Sequence, residues 1–352
     1  MKIRQSRGLF WPTHFPSFVA AMKHLTILVP DGQPNPITII STYMAFMQAE
    51  KHRAMKGGNP VFEKITLAGI SSKVDVYNNL FSVTPIEDIS RIKKTDLIII
   101  PAFLPQTDPE KNIKQNTKIL QWVESHYKKG AEIATLCTGA YILASTGLVD
   151  GKKCSIHWND AQAFRRMFPQ VQVVADQVIT HEHGLYTSGG AFSFMNLVLY
   201  LLEKHYGREM AILCSKLFQV DIDRSSQSPY IVFNGQKSHG DEVVLKAQEL
   251  LEKNSTDKFS TDKLAKKLAI SRRNLDRRFF KATGNTPIEY MQRIKMESAK
   301  KQLGISRKTV QEIMYETGYS DLKAFRNVFR KITGLSPLEY RSKYNKEAIT
   351  VS

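Results

Sequence analysis

The chain has 352 residues, 42% of them apolar and 10% aromatic, which is enough for two or three domains with proper cores and excludes a disordered or fibrous polypeptide. A formal net charge of +17 suits a polyanionic partner. Three cysteines, Cys137, Cys154 and Cys214, show no metal-type spacing; they argue against a disulfide framework and for a reducing, cytoplasmic compartment.

Residues 1–21 open on Lys2-Ile3-Arg4 and Gly8-Leu9-Phe10-Trp11, which imitates a signal peptide until Pro12, His14 and Pro16 break the apolar segment. They are expected to be a poorly ordered extension. Met22 leads directly into a strand, and a first domain is expected over 22–220. Within it, 25–29 is a β-rich run, 38–51 reads as a helix, 64–69 and 74–76 as strands, and 97–100 as an apolar strand buried on both faces. Residues 111–128 read as one helix, 132–136 as a strand, 140–144 as the start of a helix and 191–205 as another helix. The best apolar run, 191–202, is too short to span a bilayer and contains Ser193 and Asn196, so a buried helix is expected and no membrane partner. Alternation of this kind predicts an α/β domain with a mainly parallel sheet, where ligands sit at the carboxyl ends of the strands.

One such end is Leu136-Cys137-Thr138-Gly139-Ala140. A strand passing through Cys-Thr-Gly into a helix has the shape of a nucleophile elbow, which would hold a thiol at a helix N-terminus and lower its pKa. On spacing alone, a small buried cysteine at a strand end is the favoured reading. His181-Glu182-His183 places two histidines at alternate strand positions, but without further ligands a polar hairpin tip before Gly184 is the better explanation, and no metal is expected. Residues 221–240 are small and polar and read as an exposed linker, with Tyr230-Ile231-Val232-Phe233 apolar enough to dock on a neighbouring surface.

The last third contains a block written twice. Phe279, Lys281, Thr283, Gly284, Pro287, Glu289 and Tyr290 recur fifty residues on as Phe329, Lys331, Thr333, Gly334, Pro337, Glu339 and Tyr340. Before the first copy, Leu264, Ala265 and Leu268 form one side of a short helix, a turn follows, and Ser271 caps a second helix that runs through Lys281 with Leu275 and Phe279 inward. The second copy runs 310–314, turns at Thr317-Gly318-Tyr319-Ser320 and continues from Asp321 with Phe325 and Phe329 inward. Two helix-turn-helix units follow, in an all-α domain over 241–345 that leaves a tail at 346–352. Residues 241–346 hold 24 Lys and Arg against 13 Asp and Glu, so most of the net charge lies here. Such units read base edges with the N-terminal part of the second helix. The candidates are Arg272, Arg273, Asn274 and Arg277 in the first unit and Asp321, Lys323, Arg326 and Asn327 in the second, with Lys281, Arg330 and Lys331 on phosphates.

The text from Ser260 to Tyr344, including Ser271-Arg272-Arg273-Asn274-Leu275-Asp276-Arg277-Arg278-Phe279 and Glu316-Thr317-Gly318-Tyr319-Ser320-Asp321, resembles the AraC/XylS-type DNA-binding domain almost end to end. The resemblance implies a connecting helix between the units, here 287–303 with Ile288, Met291 and Ile294 inward. Residues 23 to about 208 resemble the ThiJ/PfpI, class I glutamine amidotransferase-like domain, through Leu136-Cys137-Thr138-Gly139-Ala140-Tyr141, Ile156-His157-Trp158 and Thr187-Ser188-Gly189-Gly190. That implies a flavodoxin-like, mainly parallel sheet sandwiched by helices. Together the two resemble the GlxA-like transcriptional regulators, which implies promoter DNA, RNA polymerase and a small effector as partners, and a homodimer.

Departures from the enzymatic relatives weigh against catalysis. Asp31 lies close to the strand, the loop after Ile100 is Pro101-Ala102-Phe103 without glycines, and Cys137 is followed by Thr138 rather than His, leaving His157 as the one imidazole available to a Cys137 nucleophile. The expectation is a non-enzymatic sensor without cofactor, with an effector pocket of Asn35, Cys137, Thr138, His157, Trp158 and Ser188 suited to an amine or amino-acid-like compound through a cation–π contact with Trp158. An active Cys-dependent hydrolase or amidase that also binds DNA, and a Cys137-based redox sensor, are the alternatives.

Overall fold

The structure, a computed structural model, describes residues 23–105, 107–237, 239–254 and 260–345. The expected extension at 1–21 and tail at 346–352 lie outside the described residues. The chain divides into two compact units, Met1–Gln227 and Ser228–Ser352.

The N-terminal unit contains β1 (Lys23–Val29), α1 (Pro36–Met55), β2 (Phe62–Gly69), β3 (Val74–Val76), β4 (Phe81–Val83), β5 (Glu87–Asp88), β6 (Leu97–Ile100), α2 (Pro109–Gln115), α3 (Thr117–Lys128), β7 (Glu132–Thr135) and α4 (Ala140–Ala144). It continues through β8 (Lys153–Cys154), α5 (Ala161–Met167), β9 (Gln172–Val173), β10 (Ile179–Glu182), β11 (Leu185–Ser188), α6 (Phe194–Tyr206) and α7 (Arg208–Phe218). Seven strands form one sheet in the order β10-β11-β7-β6-β1-β2-β5, parallel except for the β10–β11 hairpin. This is the flavodoxin-like arrangement. Strand periodicity sends alternate side chains to opposite cores. Leu25, Ile27, Val29, Leu97 and Ile99 pack with α1 and α6, whereas Leu28, Ile98 and Ile100 pack with α3, α4 and α5.

One element differs from the sequence reading, and two others are as read but gain a place in the fold. The helix expected over 111–128 is two helices, because the buried Asn116 at their junction turns its side chain to the backbone: Oδ1 accepts from the Asp31 amide at 2.9 Å and Nδ2 donates to the Asp31 and Asn112 carbonyls. The strand at 74–76 pairs only with β4 in a separate hairpin. The hairpin tip expected before Gly184 is present: His183 (φ 51°) and Gly184 (φ 76°) form the turn between β10 and β11, so His181 and His183 do not share a strand face, and His181 stacks on Tyr186, ring centroids 4.1 Å apart. Among the described residues no helix is long and apolar enough to cross a membrane, and the apolar run at 191–202 lies mostly in α6, whose residues 194–203 are all buried.

The C-terminal unit is helical: α8 (Glu242–Lys253), α9 (Thr261–Lys267), α10 (Arg272–Thr283), α11 (Pro287–Ile305), α12 (Val310–Glu316), α13 (Leu322–Thr333) and α14 (Pro337–Tyr344). The repeat appears as two cores. Leu264, Leu275, Phe279 and Tyr290 gather in one, and Ile313, Phe325, Phe329 and Tyr340 in the other. Both second helices stop at a glycine in the left-handed region, Gly284 (φ 69°) and Gly334 (φ 75°), where a side chain would be strained. Thr286 with Glu289 and Ser336 with Glu339 then build the same capping box on the next helix. The connecting helix is longer than expected and Ile288 points outward, 47% exposed, because Tyr290 and Met291 take the inward positions of that first turn.

Candidate nucleic-acid interface and effector cleft

On α10, Arg273, Arg277 and Lys281 are exposed at four-residue spacing, which puts them in one stripe opposite the buried Leu275 and Phe279. Asn274 is half-buried and its Oδ1 accepts from Arg277 Nη2 at 3.1 Å, so the pair is held as a polar unit. On α13, Lys323, Arg326, Asn327, Arg330 and Lys331 are exposed opposite Phe325 and Phe329. The two remaining sequence candidates have structural partners. Arg272 is 3.1 Å from Asp262 and 3.7 Å from Asp276, and Asp321 is the N-cap of α13, its Oδ1 accepting from the Ala324 amide at 2.6 Å. Arg278 is gripped by both oxygens of Asp241, at 2.6 and 2.9 Å, which holds that carboxyl below its usual range and ties α10 to the start of α8.

In the N-terminal unit a cleft of about 440 Å³ opens where the chain leaves the carboxyl ends of β1, β6 and β7. Asn35, Cys137, Thr138 and His157 line it, as the sequence predicts; Trp158 and Ser188 are not among its walls. Ser188 is fully buried behind the elbow, where its hydroxyl donates to Thr135 O at 3.3 Å and accepts from the Cys137 amide at 3.4 Å. Trp158 lies beside His157, ring centroids 5.3 Å apart. The aromatic walls come instead from Tyr77, Phe103, Tyr141, Phe192 and Phe194, and the cleft carries one carboxyl group, Asp160.

Cys137 has φ 52°, so the elbow geometry is real. Its surroundings match the favoured reading, a small buried cysteine at a strand end, rather than a thiol activated by a helix N-terminus. The residue is 8% exposed, and burial pushes the thiol up to about 11 despite a hydrogen bond from the Ala191 backbone. Cys137 opens a 3₁₀ turn and the α-helix after it has only five residues, so there is little helix dipole to oppose desolvation. Cys154 is pushed up to about 12 and Cys214 to about 11 by the same cause.

Three backbone amides of the loop after β6, which lines the cleft with Cys137, are already in use. The Ala102 amide donates to Thr38 Oγ1 at 3.2 Å, the Phe103 amide to Thr138 Oγ1 at 2.9 Å and the Leu104 amide to Gln33 O at 2.8 Å. Thr138, in the position after the cysteine, thus occupies the Phe103 amide with its hydroxyl. His157 accepts from the Asn159 amide at Nδ1, and burial lowers its pKa, partly offset by Asp160 with Oδ2 3.9 Å away. Asp160 is raised by burial and lowered by His157. The buried Tyr141 hydroxyl has no hydrogen-bond partner among the described residues. Asp160 was not legible as a site residue, because it sits at the N-cap of α5 and only the fold brings it to the cleft, whereas Tyr141 stood inside the Cys137 motif without being singled out.

With a pKa of about 11, Cys137 is expected to react with iodoacetamide about 100-fold more slowly than a free thiol at pH 7, accelerating as pH rises toward 11. Peptide mass spectrometry of the labelled chain reads this directly. Labelling at neutral pH as fast as a free cysteine would show an activated thiolate.

Residues 69–204 match the DJ-1/PfpI family and residues 264–343 match a helix-turn-helix domain family. The chain is 25% identical over 221 residues to the HTH-type transcriptional regulator GbdR of Pseudomonas aeruginosa (strain UCBPP-PA14), covering 62% of this chain and 60% of that regulator. It is 24% identical over 212 residues to the HTH-type transcriptional regulator GlxA of Rhizobium meliloti (strain 1021), covering 59% of this chain and 64% of that one. The matched region therefore spans less than two thirds of the length of these regulators. The crystal structure of Drosophila melanogaster DJ-1beta is similar at a TM-score of 0.46 and 18% identity, over 57% of this chain and 100% of that chain. The chain thus carries a DJ-1/PfpI-family domain followed by an AraC-type helix-turn-helix domain, and it is similar to HTH-type transcriptional regulators such as GlxA.

Proposed function

We propose that the chain is a sequence-specific transcription regulator whose C-terminal unit reads promoter DNA and whose N-terminal cleft senses a small metabolite. The observation that carries this reading is the duplicated helix-turn-helix with an exposed cationic stripe on each second helix. Arg273, Asn274 and Arg277 on α10, and Lys323, Arg326 and Asn327 on α13, are assigned to base edges. Lys281, Arg330 and Lys331 are assigned to phosphates, which fix register without carrying sequence information.

A non-catalytic cleft is supported by the neutral thiol of Cys137 and by the occupied amides of 102–104, since acyl chemistry needs both a thiolate and an oxyanion site. The effector class is a compound with a cationic nitrogen. Asp160 supplies the counter-charge and Phe103, Tyr141 and Phe192 the aromatic faces, while an acceptor on the compound would satisfy the Tyr141 hydroxyl.

The test is selection of fragmented host DNA by the full chain across a salt series. Enrichment of sites with two short elements about one helical turn apart is the expected result; uniform binding without enriched sites would contradict it. On an enriched site, Arg277→Ala should relax preference at one position at a cost of about 1–3 kcal/mol. Lys281→Ala should instead lower affinity for every sequence and reduce the salt slope by about one. Equal losses on all sequences from both variants would overturn the assignment of roles.

A further inference from the structure

Gln227 closes the N-terminal unit, and Ser228 opens the C-terminal one. It sits in a segment whose composition reads as exposed linker, yet it is 2% exposed and its side-chain amide is fully used. Oε1 accepts from the Gly190 amide at 2.7 Å, and Nε2 lies 2.9–3.0 Å from the carbonyls of Ile156, Ala175 and Gln177. The backbone is fastened as well: the Gln227 amide donates to Asp176 O at 2.7 Å and the Val178 amide to Ser225 O at 3.0 Å. The side chain packs directly on the Gly189 backbone, where a methyl group would lie 2.0 Å from its Nε2.

What Gln227 grips is the turn that forms one edge of the cleft. A methyl group on Gly190 would lie 2.9 Å from Gln227 Oε1 and 2.9 Å from His157 Cδ2, so the glycine backbone is pressed between the anchor and a cleft imidazole. The next residue, Ala191, has φ 37° and hydrogen bonds the Cys137 thiol through its backbone. Ala191 and Phe192 both line the cleft. Cys137 and His157 thus both abut the strained turn that Gln227 holds.

On the other side of the peptide bond to Ser228, residues 228–237 run along both halves of the C-terminal unit. Tyr344 donates to Pro229 O at 3.1 Å, Lys343 lies over the Tyr230 ring at 4.6 Å, and the buried Lys300 donates to Ile231 O. Phe233 meets Tyr290 edge-on at 5.1 Å in the first core, and Gln236 accepts from Asn285 Nδ2 at 2.7 Å. The segment thus holds α14 and the first helix-turn-helix core with the same few residues.

We infer that Gln227 is the positioning residue that couples the effector cleft to DNA reading, by pinning the start of the 228–237 strap to the Gly189–Gly190 turn. The coupling presupposes the regulator function proposed above. Because linkage is reciprocal, DNA must act back on the turn, so the coupling can be read without the effector.

The experiment is amide hydrogen exchange of the full chain, free and bound to a DNA fragment enriched in the selection above. It is run on the wild-type sequence, on Gln227→Ala, and on a variant with a short Gly-Ser insert between Gln227 and Ser228 that leaves both anchors intact. DNA should slow exchange at α10 and α13 in all three. In the wild-type chain it should also slow exchange at 187–193 by about fivefold or more, an effect absent from the other two. The insert should leave the melting transitions unchanged, which separates lost coupling from lost folding. Protection confined to α10 and α13 in the wild-type chain, or protection of 187–193 that survives the insert, overturns the coupling and leaves the reader assignment standing. Lack of protection at α10 and α13 overturns the reader assignment and the coupling with it.

Discussion

Replacing Phe329 by alanine should destabilise the C-terminal unit by about 3–5 kcal/mol. Phe329 is fully buried, with Tyr340 edge-on at 5.6 Å and Phe325 at 6.0 Å, and these rings hold α13 against α14 and the far end of α11. A loss of that size is comparable to the whole stability of a small domain, about 5–15 kcal/mol. The second helix-turn-helix should therefore unfold under conditions where the first persists, because its core is separate. Denaturant melting followed by hydrogen exchange would show α13 exposed and α10 protected, and DNA binding should lose the contribution of one half of the site. A cost below about 1 kcal/mol would mean that the aromatic core does not support α13.

Gly139→Ala should disrupt the cleft. The added methyl would meet the carbonyl oxygens of Pro101 at 2.5 Å and Ile100 at 2.7 Å, and both are backbone atoms at the end of a central strand. Relief requires moving the loop after β6, which also carries the Thr138–Phe103 hydrogen bonds and one wall of the cleft. Overpacking of this kind costs at least the upper end of about 1–3 kcal/mol. The expected phenotype is a lower melting transition of the N-terminal unit, with DNA affinity retained by the intact C-terminal unit. An unchanged melting temperature would show that the elbow has room that the backbone geometry denies.

The C-terminal unit was the most legible part of the sequence. Its repeat, its glycine stops at Gly284 and Gly334 and its inward Leu275, Phe279, Phe325 and Phe329 are all local signals with helical period. The parallel sheet was legible through runs such as 97–100, which must be apolar on both faces. Side chains that answer to distant partners were not. Asn116 breaks a helix because the Asp31 backbone, far off in sequence, offers its side chain two bonds and the Asn112 carbonyl a third. Trp158 was a plausible aromatic wall, and the fold supplies Phe103, Tyr141 and Phe192 instead. The thiol pKa could not be read from the elbow motif, since burial is a property of the whole unit. Gln227 was hidden among polar neighbours, where composition says exposure and hydrogen bonding dictates the reverse.

The strand order has a consequence for where this protein can be cut. β1, the first described strand, lies in the middle of the sheet, between β6 and β2, rather than at an edge. Trimming an edge strand frays a sheet, but removing residues beyond Lys23 would split this one into a β10-β11-β7-β6 half and a β2-β5 half, each with new unpaired edges. Clipping at that end, by a protease or a shifted start codon, would therefore eliminate the α/β unit as a whole while leaving the two helical cores, which lie in the other unit, intact.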